Sequence, residues 1–379
     1  MKAGKKILIV SGEPSGDLHG ANLVKDLKSL DHGLSFYGIG GDLSKASGVE
    51  IVYDITDLAL VGVIEVLKNL SAVKAAHDKL IAKIDADRPD AAILVDYPGF
   101  NLRLAKELWK RSIPVIYYIS PQVWAWGHQR VHLIKKYVRK MVVFFKFEEK
   151  LYKRYGIDAE CVGHPLIDTV KATAPRKDVL KKYNLSENRK TIALLPGSRK
   201  SEVGIFLPVM ADAANIISQK LGGAQFLVSK HPSRDRRLYE NAFRGASFDY
   251  RLVEGDLHNI VAASDFAVVA SGTATLETAI LETPHVIIYK ANLITYSLYR
   301  MVVRTPFLGI VNIIAGKEVV PEFLQFNMTA ENIATHVLGI ISDDKKLAGI
   351  REKLHTVRSS LGAPGASLRA ARSILPLLQ

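Results

Sequence analysis

Ile7-Leu-Ile-Val-Ser-Gly-Glu-Pro-Ser-Gly-Asp-Leu-His-Gly20 passes from a short apolar run, through a glycine and proline turn, into the start of a helix. A strand that is apolar on both faces belongs to a parallel sheet covered by helices on each side. The first βα turn of such a sheet carries backbone N–H groups and polar side chains over the ligand-binding edge. The spacing is neither G-x-G-x-x-G nor that of a Walker A loop, since no Lys-Ser/Thr pair follows the second glycine, so dinucleotide and P-loop functions lose support. Taken singly, Ser15 and Asp17 also read as ordinary helix caps.

Outward from this segment, Val- and Ile-rich runs alternate with helix-length amphipathic stretches. Strands are expected at Ile7–Val10, Leu34–Tyr37, Ala92–Val95, Val115–Ile119 and Met141–Phe145, with helices near Asp17–Leu30, Val73–Ala86, Leu102–Arg111 and Gln129–Lys140. After Cys161-Val-Gly-His-Pro165 and the charged stretch Lys171 to Lys190 the pattern restarts. Strands follow at Thr191–Leu195, Gln225–Val228, Tyr250–Val253, Phe266–Val269 and His285–Tyr289. The fold class is therefore α/β, with two Rossmann-like, doubly wound parallel-sheet domains facing an interdomain cleft. The expected division is 1–165 and 166–343. A helical tail, 344–379, either packs back on the first domain or is exchanged with a partner chain in a homodimer.

The 379 residues exceed what a single core ordinarily supports. No uninterrupted apolar run approaches the roughly 18 residues of a spanning helix, and the apolar run Ile7 to Val10 is too short for a secretory signal. A single cysteine, Cys161, allows no internal disulfide, which places the chain in the cytoplasm by default. The net charge of +13 asks for an anionic partner. Finger spacing, an RNP-like motif and a long basic block are all missing from the sequence, so nucleic acid is not expected.

Several segments carry candidate chemistry. Ile93-Leu-Val-Asp96-Tyr-Pro-Gly-Phe-Asn101 places a carboxylate at the end of a buried strand, where burial would raise its pKa toward that of a general base; the plainer reading is a turn or N-cap aspartate. Pro121-Gln-Val-Trp-Ala-Trp-Gly127 sets two tryptophans beside His128 and Arg130, a loop suited to sugar stacking or acyl packing. From Val131 to Met141 the apolar positions 131, 134, 138 and 141, flanked by Arg130, Lys135, Lys136, Arg139 and Lys140, read as a basic amphipathic helix, either solvated or drawn to anionic lipid. Leu58 to Leu67, apolar nearly all round, reads as buried or as a membrane-facing lip. In the second half, Leu195-Pro-Gly-Ser198-Arg199 and Ser271-Gly272-Thr273 are glycine turns opening helices. Together with the Arg199 cation they suit a pyrophosphate. Glu277 lies one turn further on, within reach of ribose hydroxyls, though a lone helical glutamate is more often solvated. The histidines are scattered and no metal spacing occurs, so neither a metal nor another cofactor is expected.

Taken together, Ser11-Gly-Glu-Pro-Ser-Gly-Asp17, Tyr37-Gly-Ile-Gly-Gly41, Asp96 to Asn101, Ile119 to Trp126, Val162-Gly-His-Pro-Leu166, Leu195 to Arg199 and Ser271 to Glu277 resemble, in order, the lipid A disaccharide synthase family. The resemblance implies a GT-B, metal-independent, inverting glycosyltransferase. It would transfer 2,3-diacylglucosamine from UDP to 2,3-diacylglucosamine 1-phosphate, forming the β-1′,6-linked lipid A disaccharide 1-phosphate and UDP, and would sit peripherally on the anionic inner face of the inner membrane. Carried onto this chain it makes Asp96 the base, with Glu13, Ser15 and His19 shaping the acceptor side. UDP would be held by Ser198, Arg199, Glu202, Ser271, Gly272, Thr273 and Glu277, and the donor wall completed by Asn312, Glu318 and Gln325. Val61, and Leu43-Ser44, depart from the family's usual methionines, which touches acyl-chain length or membrane contact rather than chemistry. Two rival readings are a non-hydrolysing UDP-sugar 2-epimerase, for which the Trp-Ala-Trp loop has no evident task, and a nucleotide-sugar binding protein without catalysis, against which Asp96 and Arg199 both weigh.

Overall fold

A computed structural model of the chain describes residues 4–58, 70–292, 296 and 305–378. Most of the apolar stretch Leu58 to Leu67 and part of the segment Tyr289 to Tyr296 lie outside the described residues. The chain divides into two compact units, Met1–Pro165 with Gly362–Gln379, and Leu166–Leu361.

In the first unit seven parallel strands, β1 (Lys6–Ser11), β2 (Ser35–Gly40), β3 (Val49–Asp54), β4 (Ala91–Val95), β5 (Val115–Tyr118), β6 (Lys140–Val143) and β7 (Ala159–Cys161), lie in the order β3-β2-β1-β4-β5-β6-β7. The central strands are Ile, Leu and Val throughout because helices cover both faces; Ile7 to Val10 and Ala92 to Val95 are fully buried. One face packs Leu8, Val10, Leu94 and Tyr117 against helices that include Pro98–Lys110. The other packs Ile7, Ile9 and Ile93 against the helix Pro14–Leu30 and the returning C-terminal helix Ala366–Ile374. Strands β1 and β2 approach so closely that a Cβ on Gly38 (φ +152°) would lie 1.8 Å from the Ile9 carbonyl oxygen, so only glycine fits that register.

The second unit repeats the plan with β8 (Thr191–Leu195), β9 (Gln225–Lys230), β10 (Asp249–Glu254), β11 (Phe266–Ala270), β12 (His285–Tyr289) and β13 (Glu322–Leu324), ordered β10-β9-β8-β11-β12-β13, all parallel. The helix Lys200–Lys220 has the length and apolar content of a membrane-spanning segment, but Val203, Phe206, Leu207, Met210 and Ile217 are buried in this unit's core.

The structure departs from expectation in a few places. The basic amphipathic helix is shorter than its pattern: Arg130–Tyr137 is helical, Val138 is extended, and Met141 lies in β6. The 131-134-138-141 spacing joins a two-turn helix to a strand by coincidence of period. Strands β3, β7 and β13 had no expected range, since Val49-Glu-Ile-Val-Tyr-Asp54 is a half-exposed edge bearing Glu50 and Asp54, and β7 and β13 are three residues long. The stretch 344–379 is divided: helix Asp344–Ser360 belongs to the second unit, whereas Gly362–Gln379 belongs to the first. There Arg369 donates to the carbonyls of Val162 (2.8 Å), Ala363 (2.6 Å) and Pro364 (2.6 Å), holding the outgoing and returning chain side by side.

Asp17 is the polar anchor of the first unit. Buried in the helix after β1, it accepts from the N–H groups of Gly41 (2.8 Å), Leu43 (3.1 Å) and Ser44 (3.2 Å), so it caps the short helix Asp42–Ala46 rather than its own. Removing it leaves these donors in a dry site. Asp17→Ala is expected to lower the unfolding free energy by about 2–3 kcal/mol, and Asp17→Asn by less, read from urea denaturation midpoints at constant m.

Candidate active site

Each sheet reverses its winding beside one strand. In the first unit β1 lies between β2 and β4, and in the second β8 lies between β9 and β11. At such a switch point the turns after the two central strands part and leave a crevice at their carboxyl ends. The turns that flank these crevices are 11–14 and 96–98 in the first unit, and 196–199 and 271–273 in the second. These segments carry half of the candidate residues: Glu13, Asp96, Ser198, Arg199, Ser271, Gly272 and Thr273.

In the first unit the strand-to-helix turn after β4 is strained and heavily braced. Asp96 (φ 47°) and Tyr97 (φ 45°) are both left-handed, a conformation costing non-glycine residues about 1–3 kcal/mol each unless the surroundings enforce it. Here they do: the Asp96 N–H donates to the Tyr118 carbonyl (3.0 Å), while the Asp96 carbonyl accepts from the Tyr117 hydroxyl (2.5 Å) and the Asn101 amide (2.8 Å). The Tyr97 ring lies on Gly12, where any Cβ would sit 2.2 Å from the ring, so the glycine of the first turn is there to admit the tyrosine of the second. Asp96 itself stays partly open to solvent. Burial, then the nearby Glu13 carboxylate, push its pKa up to about 6, against the Tyr97 N–H, which pulls it down. A carboxylate so placed is ionised at neutral pH yet basic enough to take a proton.

Glu13 and Ser15 are exposed at the first turn of the same crevice. His19, half-buried, meets the ring of Phe144 edge-on at 5.5 Å and its pKa is lowered by burial. Phe144 also meets the ring of His164 in the Gly-His-Pro segment at 5.0 Å, and burial, then His19, press the His164 pKa down to about 3. The pair is therefore neutral at physiological pH and fit for hydrogen bonding rather than for charge. In the loop after β5, Trp126 is 40% exposed beneath the Arg130 guanidinium (4.2 Å), and His128 Nε2 contacts the Tyr155 hydroxyl at 2.6 Å.

The second unit holds a cavity of about 630 Å³ at the carboxyl ends of β8, β9, β10 and β11. Ser198, Arg199, Glu202, Ser271, Gly272 and Thr273 all line it. Two helices, Lys200–Lys220 and Thr273–Ile280, begin at the cavity and turn the N–H groups of their first turns toward it. Arg199 lies mostly in solvent, paired with Glu202 (2.9 Å), whose other oxygen accepts from the Arg199 N–H (3.2 Å). A Cβ on Gly197 (φ +94°) would strike that carboxylate at 2.6 Å, and Arg234 donates to the Ser198 carbonyl (2.8 Å), so the turn is fixed from both ends. Lys171, Lys230, His231, His258 and Asn259 complete a wall rich in cations and donors. The sequence offered no motif for these last residues; the only signal was that Lys230, His231, His258 and Asn259 stand at or soon after strand ends, and Lys171 had none.

Glu277 is not among the lining residues. It is half-buried behind His258, 3.8 Å from Nε2, with its pKa raised by desolvation and drawn back by that histidine. Asn312, Glu318 and Gln325 do not line the cavity either. Asn312 is buried and holds local backbone, donating to the Val320 carbonyl (2.8 Å) and the Glu322 carboxylate (2.8 Å) and accepting from the N–H groups of Val319 (2.8 Å) and Val320 (3.1 Å). Glu318 is exposed on the neighbouring turn, and Gln325, left-handed at φ 53°, is buried with both amide atoms unpaired. Among the described residues no cluster of His, Cys, Asp and Glu has metal-binding geometry.

Comparison with known proteins adds to this geometry. The family model described as lipid-A-disaccharide synthetase matches residues 7–372. The lipid-A-disaccharide synthase of Syntrophus aciditrophicus is 44% identical over 99% of this chain and 98% of its own length. That of Myxococcus xanthus is 40% identical over 98% and 97%. Among solved structures, the UDP-GlcNAc 2-epimerase of Neisseria meningitidis superposes with a TM-score of 0.64 at 13% identity over 98% of this chain and 100% of the other. A UDP-glucosyltransferase from Polygonum tinctorium does so with 0.64 at 14% over 100% and 99%. At such low identity the structural likeness speaks for the GT-B architecture alone. The full-length match at high identity speaks for descent, and the chain belongs to the lipid-A-disaccharide synthase family of glycosyltransferases.

Proposed function

We propose that this chain joins two acylated glucosamines, taking UDP-2,3-diacylglucosamine as donor and 2,3-diacylglucosamine 1-phosphate as acceptor. The observation that carries the mechanism is Asp96, a base tuned to about 6 on a braced turn at the first switch point. The Asp96 carboxylate takes the proton of the acceptor 6-hydroxyl as that oxygen attacks the donor C1. A C1–O6 bond forms while the C1–O bond to UDP breaks on the opposite face, so an α donor gives a β product in one displacement. Charge developing on the leaving diphosphate is met by Arg199 and the N–H groups of the turns at Ser198 and Thr273, fixed donors that need no reorganisation. Glu13, Ser15 and His19 position the acceptor, and His258 relays Glu277 toward the nucleotide. Asn312 acts on the donor side through the turn it holds, with Glu318 and Gln325 beside it. The epimerase reading is not favoured, because the close relatives carry the synthase name and the epimerases share only the frame.

UDP release from acylated donor plus acylated acceptor tests the whole reading. C2 epimerisation of UDP-N-acetylglucosamine without acceptor would end it. Asp96→Asn should lower kcat on the order of 10²- to 10⁴-fold and leave the UDP dissociation constant from calorimetry unchanged. Because the base must be ionised, kcat/KM should rise with pH through about 6 and then level. Glu13→Gln should move that acid limb to lower pH, since the Glu13 carboxylate raises the Asp96 pKa. An unmoved limb would assign it to another group.

Arg199→Ala should weaken UDP binding by about tenfold, the worth of roughly one charge-assisted hydrogen bond in an exposed setting; unchanged affinity would place the diphosphate elsewhere.

The net charge of +13 further supports attachment to the anionic cytoplasmic leaflet. Detergent-free protein is expected to co-sediment with anionic vesicles and to be released by high salt, which shortens the screening length from about 8 Å at physiological strength. Attachment that survives salt would mean apolar insertion instead.

A further inference from the structure

Glu148 is a second buried acid close to the Asp96 turn, and the mechanism above does not use it. It opens the helix Lys146–Arg154 after β6, is 4% exposed, and among the described residues no cation pairs with it. Its carboxyl accepts from the indole N–H of Trp124 (3.2 Å) and, weakly, from the Phe145 N–H (3.4 Å), and the Ser120 hydroxyl lies against it. Ser120 contacts the Tyr152 hydroxyl at 2.8 Å and donates to the Pro121 carbonyl (2.8 Å). Tyr152 and Tyr117 are fully buried in one cluster, near enough for Tyr152 to raise the Tyr117 pKa, and Tyr117 donates to the Asp96 carbonyl. A file of buried polar groups thus runs from the Trp-Ala-Trp loop to the backbone of the proposed base.

We propose that Glu148, as a neutral carboxylic acid, is a positioning residue that ties the Trp124 loop to the braced Asp96 turn and so shapes the acceptor side of the first unit. This rests on the transferase reading for its effect on catalysis but not for its structural claim.

The chemistry favours the neutral form. Burial pushes the Glu148 pKa up to about 8, against the bonds from Trp124, Phe145 and Ser120 that lower it. The titratable groups near it are Tyr152 on its own helix, which is itself raised by Glu148, and Cys161 on β7, which Glu148 and Glu149 raise and Lys146 lowers. Tyr117 lies behind Tyr152 on β5. None of these is a cation held against the carboxyl, so ionisation above pH 8 leaves a charge with only weak neutral donors. The loop is then expected to loosen. A glutamine in place of Glu148 keeps an acceptor for the Trp124 indole and cannot ionise.

The test uses the full-length protein and needs no substrate for its first arm. The Trp124 indole N–H resonance, assigned with Trp124→Phe, should shift with pH about a midpoint near 8 in the parent and show no such step in Glu148→Gln. A flat parent profile, or a step that persists in Glu148→Gln, overturns the proposal whatever the enzyme makes. In the second arm, Glu148→Ala should reduce kcat/KM for acceptor on the order of tenfold to a hundredfold with the UDP dissociation constant unchanged. Glu148→Gln should recover most of that loss and lack the alkaline fall of the parent. Glu148→Gln as impaired as Glu148→Ala, or loss of UDP binding in step with activity, would show a general folding role and overturn the positioning claim.

Discussion

Parallel strands force their chain to return across one face of the sheet, and when the winding changes face between two neighbouring strands their following turns must separate. The whole candidate site depends on that constraint. Both units obey it at β1/β4 and β8/β11, so each has one pair of turns that part and leave a crevice facing solvent or a ligand, even where a side chain such as Tyr97 reaches across onto Gly12. Glycines Gly12 and Gly197 let those turns double back tightly, and the packing of Tyr97 on Gly12 and of Glu202 on Gly197 shows the neighbours that glycine admits. Strand burial provides the rigidity: with Ile9, Val10, Leu94 and Val95 sealed from water, the turns start from points that do not move.

Strain at Asp96, the proposed base, is tolerable only on such a frame. Two successive left-handed non-glycine residues would relax if the Asp96 carbonyl were free, but it receives two donors in a largely buried setting, and opening the turn would strip the Tyr117 hydroxyl of its acceptor and leave the Asn101 amide only the Val95 carbonyl. The same burial raises the carboxyl's pKa. Geometry and basicity therefore have one cause, the closure of the core beneath the turn, and a substitution that loosens Tyr117 or Asn101 should disturb both together.

Much of this was legible in the sequence because buried parallel strands leave plain marks. Ile7–Val10, Ala92–Val95, Thr191–Leu195 and Phe266–Val269 are nearly pure Val, Ile, Leu and Ala, and the glycine turns after them named most of the residues that flank the two crevices. Edges were less visible, since β3 and β13 are half-exposed and lack that composition. The Val131–Met141 stripe failed for a different reason: a two-turn helix and the following strand happened to place apolar residues at helical spacing, and periodicity cannot detect a change of period in so few residues. Lys230, His231 and His258 escaped because each is a lone polar residue at or after a strand end, and only the spatial order of β8, β9 and β10 gathers them. Glu148 escaped because Phe-Glu-Glu on a helix start reads as solvated charge, and its burial is decided by a tryptophan 24 positions earlier.

The two crevices have the same topology and opposite chemistry. In the first, the turn residues are Glu13, Ser15 and Asp96; in the second they are Ser198, Arg199, Ser271 and Thr273, backed by Lys171 and Lys230. A sheet's switch point supplies a place, and the sign of charge set into its turns decides what goes there. This explains how a UDP-GlcNAc 2-epimerase and a UDP-glucosyltransferase can share the frame at 13–14% identity while the relatives at 40–44% carry the synthase name. Strand composition is interchangeable among Val, Ile and Leu and drifts freely, whereas an acid raised toward neutrality needs its own particular neighbours. For Asp96 those are Glu13, Tyr97 and the donors Tyr117 and Asn101. Exchanging turn residues between such distant relatives without their supporting neighbours would move a carboxylate onto a frame that neither strains it nor dries it, and the frame alone would not restore a base.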